Sequence, residues 1–291
     1  IRDIGVTGVQ TCALPISILG TIQSTFTDFK YLRKKWQDTC NEERLLGVSL
    51  TGVCDNLELL GDPSVLERLR QVVIETNAEW AARLGINPSA ATTCVKPSGT
   101  VSQLVNSASG LHTRHSEYYL RTVRADNKDP CTEFLKSQGV YWEADVMAPD
   151  STSVFYFPIK SPDGAAVRSS QSALDALELW KHLQDNWCEH KPSCTVSVKE
   201  DEWLDVGAWV YSNFDVLSGV SFLPYDGGTY KQAPYQEISK EEYENWCKAH
   251  PQPTIDWNAL QEFEFEDTTT GSQELACTGG VCEIVAIGHV E

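Results

Sequence analysis

The chain has 291 residues, of which 41% are hydrophobic and 22% charged, with a net charge of −18 at pH 7. That is enough apolar material for one large core, or a large piece of one, under an ordinary charged surface. No run of 18 apolar residues occurs, so no membrane-spanning helix is expected, and so acidic a chain meets nucleic acid with a repulsive field.

The first stretch, Ile1 to Ile16, shows neither a helical period nor clean alternation, and lacks the basic start and long apolar run of an export signal. Its VTGVQTCALPI resembles the conceptual translation of a sequencing-library adapter, and the preceding IRD is similar to the codons before that adapter's index. Residues 1–17 are therefore expected to be non-native. Ser17 straddles the junction, Cys12 is no functional thiol, and a natural N-terminal part is expected to be missing. Such a segment was never selected to pack and is expected to make no stable contacts.

From Ile18 onward helix and strand signals alternate. A helical stretch covers about Leu19 to Leu46, with a break expected near Asp38 to Asn41, and Gly47 to Val53 reads as a strand. Asp62, Pro63 and Ser64 form a start signal for an amphipathic helix that stops near Gly85. Ala91 to Val95 is a short strand opening into a loop at Lys96 to Thr100, with a new helical run from Val101. Tyr118 to Val123 alternates like a strand. Arg114, Arg121 and Arg124 are the nearest thing here to a basic patch. They suit a small phosphorylated ligand, or are simply charges on a solvated strand. Val154 to Ile159 reads as a strand, Ser170 to His190 as a helix, Cys194 to Val198 as a strand, Glu200 to Leu217 as a helix, Val220 to Leu223 as a strand and Glu241 to His250 as a helix. Repeated strand, loop and helix units predict an α/β fold with a largely parallel sheet, open or closed into a barrel. Beyond Pro253 an acidic, phenylalanine-bearing patch gives way to the polar linker Thr268 to Ser272 and a small tail.

Ten cysteines without the dense short loops of a disulfide scaffold point to a reducing, cytoplasmic setting. Cys40, Cys54, Cys94, Cys131, Cys188, Cys194 and Cys247 are scattered and are expected to act as small, part-buried hydrophobes.

Three segments can carry chemistry. Pro97, Ser98, Gly99, Thr100, Val101 and Ser102 lie where a strand gives way to a helix. Outward-pointing N–H groups there suit phosphate, although the same residues also make an ordinary capped turn. Cys277 and Cys282 enclose two glycines that let the sulfurs meet, on a tail where thiol-disulfide exchange, structural zinc with His289, or no role at all are the alternatives. Ser218 to Ile238, rich in glycine, proline and tyrosine, reads as a strand that ends in a long loop.

Taken together, Leu46 to Asp55 (LGVSLTGVCD), Lys96 to His112 (KPSGTVSQLVNSASGLH), Gly219 to Ile238 (GVSFLPYDGGTYKQAPYQEI) and Gly271 to Ile287 (GSQELACTGGVCEIVAI) resemble the monomeric adenosylcobalamin-dependent ribonucleoside-triphosphate reductases. The resemblance implies that residues 18–265 are the C-terminal part of a ten-stranded α/β barrel and that 266–291 form a linker and a flexible redox tail. It implies adenosylcobalamin as cofactor, a thiyl radical that acts on the ribose, no metal site held by the protein, and a ribonucleoside triphosphate cradled by Pro97, Ser98, Gly99, Thr100, Val101 and Ser102. It further implies thioredoxin as reductant, with Cys277 and Cys282 relaying its electrons. The family's radical cysteine, in a segment reading roughly Asn-Pro-Cys-Gly-Glu, has no counterpart here. That cysteine, the active-site reducing pair and the site for a deoxynucleotide effector are expected in the missing part, and the fragment is expected to be inactive alone and monomeric. A stand-alone dithiol or metal-binding module is the alternative.

Overall fold

A computed structural model describes residues 2–98, 101–225 and 231–264, with side chains from residue 13 onward. In chain order the elements are α1 (Arg2–Gln23), α2 (Lys34–Glu43), β1 (Val48–Ser49), α3 (Leu57–Leu60), α4 (Pro63–Leu84), β2 (Thr93–Cys94) and α5 (Val101–Leu104). There follow β3 (Tyr118–Asp126), α6 (Pro130–Ser137), β4 (Trp142–Ala144), β5 (Thr152–Lys160), α7 (Ala173–Asn186) and β6 (Cys194–Val198). The last are α8 (Trp203–Ser212), β7 (Val220–Pro224), β8 (Tyr235–Glu237) and α9 (Lys240–Ala249). Helices and strands interleave as an α/β pattern requires. The chain divides into two compact units, residues 1–113 with 170–225 and residues 114–169 with 226–291.

The first unit is built on two parallel strand pairs, β1 with β2 and β6 with β7. Helices α4 and α7 bury Leu66, Leu69 and Val73, and Leu177, Trp180 and Leu183, in one apolar cluster. The helical spacing of those residues directs them to one face. Both helices start and stop where the side chains dictate. Asp62 accepts the Ser64 N–H with Pro63 in the first turn, Gly85 ends α4 in a left-handed conformation, and Ser172 with Asp175 forms a capping box for α7.

Helix α1 runs straight through the expected junction near Ser17. Ala13, only 7% exposed, belongs to the apolar cluster, Ser17 and Thr21 are buried, and Asn77 of α4 donates to Thr21 Oγ1 at 2.9 Å. The expectation that nothing before Ile16 packs is thus overturned at Ala13. Ala13, Ser17 and Thr21 recur every four residues, so small side chains form one stripe that lets α1 lie close to α4. The expected break at Asp38 to Asn41 also moves, since α2 spans it. The helix ends instead after Gln23, where the Ser24 and Thr25 hydroxyls donate to the Thr21 and Ile22 carbonyls and compete with helix continuation.

The second unit corrects the expectation of a largely parallel sheet. Its four strands run β4-β5-β3-β8, all antiparallel, with β3 and β5 paired from Tyr118 opposite Lys160 to Asp126 opposite Thr152. Alternation along a strand reports its two faces and carries no information on its direction. The arginines are corrected with it. Arg124 binds the Asp145 carboxylate at 2.6 Å and the Gln232 carbonyl at 3.1 Å, while Arg121 donates to Pro234 O and lies 4.4 Å over the Tyr235 ring. Arg114 is 5% exposed. The Arg121 and Arg124 guanidiniums lace the sheet together and are not left open for a phosphate.

Candidate functional site

Strands β1 and β2 end side by side, and the loops beyond their C-terminal ends, where α/β sheets place binding groups, interlock. Gly52 N–H donates to Ala108 O at 2.7 Å and the Thr51 hydroxyl donates to the same carbonyl at 3.0 Å. Thr51 Oγ1 also accepts from Gly110 N–H at 3.1 Å, Asp55 Oδ2 accepts from Ala108 N–H at 2.7 Å, and Val53 N–H donates to Gly110 O. Two glycines make this closeness possible. Gly52 has φ +71 and Gly110 φ +56, and a Cβ on Gly110 would stand 2.8 Å from Lys96 O.

The phosphate-loop candidate rests on that platform. Ser109 Oγ accepts from Ser98 N–H at 2.8 Å and donates to Ser98 O at 3.0 Å, so one hydroxyl grips both polar groups of the Ser98 backbone. Ser98 Oγ accepts from Ser102 N–H, and the buried Ser102 hydroxyl donates back to Ser98 O, each at 3.0 Å. The Ser102 hydroxyl is thus spent on the turn, while the Ser98 hydroxyl accepts within it and can still donate. Pro97 and Lys96 are exposed beside it, with Lys96 Nζ on Ser193 Oγ at 2.8 Å, and Val101 is 60% exposed. Gly99 and Thr100 lie outside the described residues.

His112 anchors the other end. Its Nδ1 is 3.0 Å from Ser109 O, and its Nε2 is 3.0 Å from the Thr195 N–H of β6. A backbone N–H can only donate, so Nε2 accepts and Nδ1 carries the proton: the ring is held as the neutral Nδ1–H tautomer. Burial lowers its pKa, opposed by the bond to Ser109. Neither His112 nor Ser109 was singled out from the residues alone. Both lie in the stretch Lys96 to His112, but nothing in a serine- and glycine-rich run tells which hydroxyl will turn inward.

The buried cysteines of this unit, Cys54, Cys94, Cys188 and Cys194, behave as small hydrophobes. Burial pushes the thiols of Cys54, Cys188 and Cys194 up to about 12, with the Asp55 carboxylate adding to the effect at Cys54 and Cys94 to that at Cys188. Cys54 donates to Leu111 O. None is a ready thiolate. Cys277 and Cys282 lie outside the described residues, as does the stretch 226–230 within Ser218 to Ile238. After that stretch, Gln232 is buried at φ 58, donates to Ala144 O at 2.9 Å and accepts from Val146 N–H at 2.9 Å, so the segment leading into β8 is anchored at the end of β4. Among the described residues no group of three His, Cys, Asp or Glu is placed to hold a metal, and no helix is long and apolar enough to cross a membrane.

No family model matches the chain. It is 30% identical over 229 residues to the adenosylcobalamin-dependent ribonucleoside-triphosphate reductase of Lactobacillus delbrueckii subsp. bulgaricus, covering 76% of this chain and 30% of that protein. It is 31% identical over 236 residues to the enzyme of the same name from Lactobacillus gasseri, covering 77% of this chain and 31% of the relative. A crystal structure of a B12-dependent (class II) ribonucleotide reductase superposes with a TM-score of 0.67 at 25% identity, over 78% of this chain and 36% of that one. The chain thus spans about three tenths of the length of the curated relatives it matches. By sequence over three quarters of its residues and by fold, it belongs to the adenosylcobalamin-dependent ribonucleoside-triphosphate reductase family.

Proposed function

We propose that this chain is the C-terminal part of an enzyme that reduces ribonucleoside triphosphates to 2′-deoxyribonucleoside triphosphates, and that its loop Pro97, Ser98, Gly99, Thr100, Val101 and Ser102 receives the substrate's triphosphate. The observation that carries this reading is the interlock of two family-like stretches. Leu46 to Asp55 and Lys96 to His112 are far apart in sequence and are bonded together around the Ser98 turn. With the Ser102 hydroxyl committed to Ser98 O, the contacts to phosphate fall to backbone N–H groups, to the Ser98 hydroxyl, which only accepts within the turn, and to the Lys96 ammonium at its edge.

Residues 18–265 then form part of a ten-stranded α/β barrel, and 266–291 a linker with the redox pair Cys277 and Cys282. Thioredoxin supplies electrons, a deoxynucleotide tunes the enzyme at a site outside this chain, and the protein works as a cytoplasmic monomer. Adenosylcobalamin is the cofactor this reading implies, and it would supply the radical chemistry. Both ring nitrogens of His112 are engaged within the protein, and no step is routed through the cofactor. Without the radical cysteine the chain alone binds but does not turn over.

The test is titration of the chain with a ribonucleoside triphosphate and with its nucleoside. The triphosphate should bind and the nucleoside far more weakly. Gly99→Val should weaken triphosphate binding about ten- to a hundredfold, the loss of one charge-assisted contact. Equal binding of nucleoside and triphosphate would overturn the assignment.

A further inference from the structure

The bonds around His112 join elements that the phosphate reading alone leaves separate. On one side, the Thr195 N–H of β6 donates to Nε2 at 3.0 Å. On the other, Nδ1–H donates to Ser109 O at 3.0 Å, and the backbone N–H of His112 donates to the same carbonyl. Ser109 then grips Ser98 through its hydroxyl, and Ser98 sets the start of α5 through Ser102. A rigid imidazole is the right link here. It presents a donor and an acceptor at fixed separation on different sides of one ring, with two side-chain torsions to freeze.

We propose that His112 is a positioning residue that ties the Ser98 loop to strand β6, through Ser109, and holds the loop in its receiving shape. It touches no phosphate itself. The inference rests on the phosphate reading only for the identity of what the loop receives. The neutral Nδ1–H tautomer is part of the proposal, since the other tautomer would face an N–H against the Thr195 N–H.

Hydrogen exchange of the whole chain tests it, with Ser109→Ala and His112→Phe as variants. In both, amides in 96–107 should exchange about tenfold faster, as expected when about one net hydrogen bond is lost. Amides in α4 and α7 should not change. His112→Asn, whose amide nitrogen can occupy the Nδ1 position, should recover part of the protection. Unchanged protection in His112→Phe, or an equal loss in α4 and α7, would overturn the link by making His112 idle or merely a core residue. Nitrogen NMR of the wild-type ring supplies a reading that needs no variant to fold: a protonated Nδ1 and bare Nε2 at neutral pH support the proposal, and the reverse overturns it. Titration with inorganic tripolyphosphate separates the two readings. Binding weakened in both variants supports the link, whereas a wild-type chain that ignores tripolyphosphate removes the phosphate reading and leaves the exchange result to decide on His112.

Discussion

Single glycines show how local geometry becomes a stability requirement. Gly85 and Gly110 are both left-handed, at φ +68 and +56, but a Cβ on Gly85 meets open space and one on Gly110 meets Lys96 O at 2.8 Å. Gly85→Ala should therefore cost only the backbone strain, about 1–2 kcal/mol, and Gly110→Ala more than that, because the Lys96 backbone must move. Urea denaturation of the two variants orders them, and an equal cost would mean that the loop yields freely. His115 makes a second test. Burial lowers its pKa to about 4, with the Arg168 charge adding to the effect, and its ring stacks on Tyr235 with centroids 5.3 Å apart. A histidine that the fold keeps neutral stabilises the protein above its ordinary pKa of about 6.5, and that stability drains away as pH falls toward the lowered value. The urea midpoint should thus drop between pH 7 and pH 5, and His115→Phe should flatten the drop while leaving the part due to His112.

Elements depend on a few polar anchors that no period reveals. The segment leading into β8 is anchored by Gln232, which bonds Ala144 O and Val146 N–H, and Arg124 reaches the Gln232 carbonyl while paired with Asp145. Burial pushes the Asp145 carboxyl up, but the N–H groups of Met147 and Ala148 and the Arg124 guanidinium outweigh it and hold the pKa low. Gln232→Leu should leave the Val146 N–H and Ala144 O unmatched and cost about 2–3 kcal/mol, with fluorescence of Trp246 following the loss in the second unit. Helix α1 gives the complementary case. Because Ala13 is packed, Ala13→Leu should overfill the apolar cluster and cost about 1–3 kcal/mol, whereas deletion of residues 1–12, expected to be non-native, should leave the melting temperature unchanged. An adapter-like origin for 1–16 is compatible with both results, since a helix once started extends wherever the next residues tolerate it.

If Cys277 and Cys282 relay electrons, as we propose, a prediction separate from the loop follows at the scale of the complete protein. In a complete reductase, changing both to serine should abolish repeated turnover with thioredoxin and leave turnover with dithiothreitol largely intact, because the small thiol diffuses directly to the active-site disulfide. A prereduced double variant should still form one equivalent of product on rapid mixing. Failure to form it would place these thiols in the chemical step.

The amino-acid order already contained the α/β alternation, the caps of α4, the bounds of β6 and the stretches that mark the family. All of these depend on neighbours within a turn or two, or on the order of the stretches along the chain. The antiparallel course of β3 and β5, the use of Arg121 and Arg124 as sheet braces, the burial of Ala13 in the apolar cluster and the grip of His112 on Ser109 and β6 were not legible there. Each depends on which distant backbone group stands opposite a side chain. A hydrogen-bonding residue is written identically whether it faces water, a ligand or a backbone N–H 83 positions away, as His112 faces that of Thr195, and only the folded chain brings those two groups to 3.0 Å.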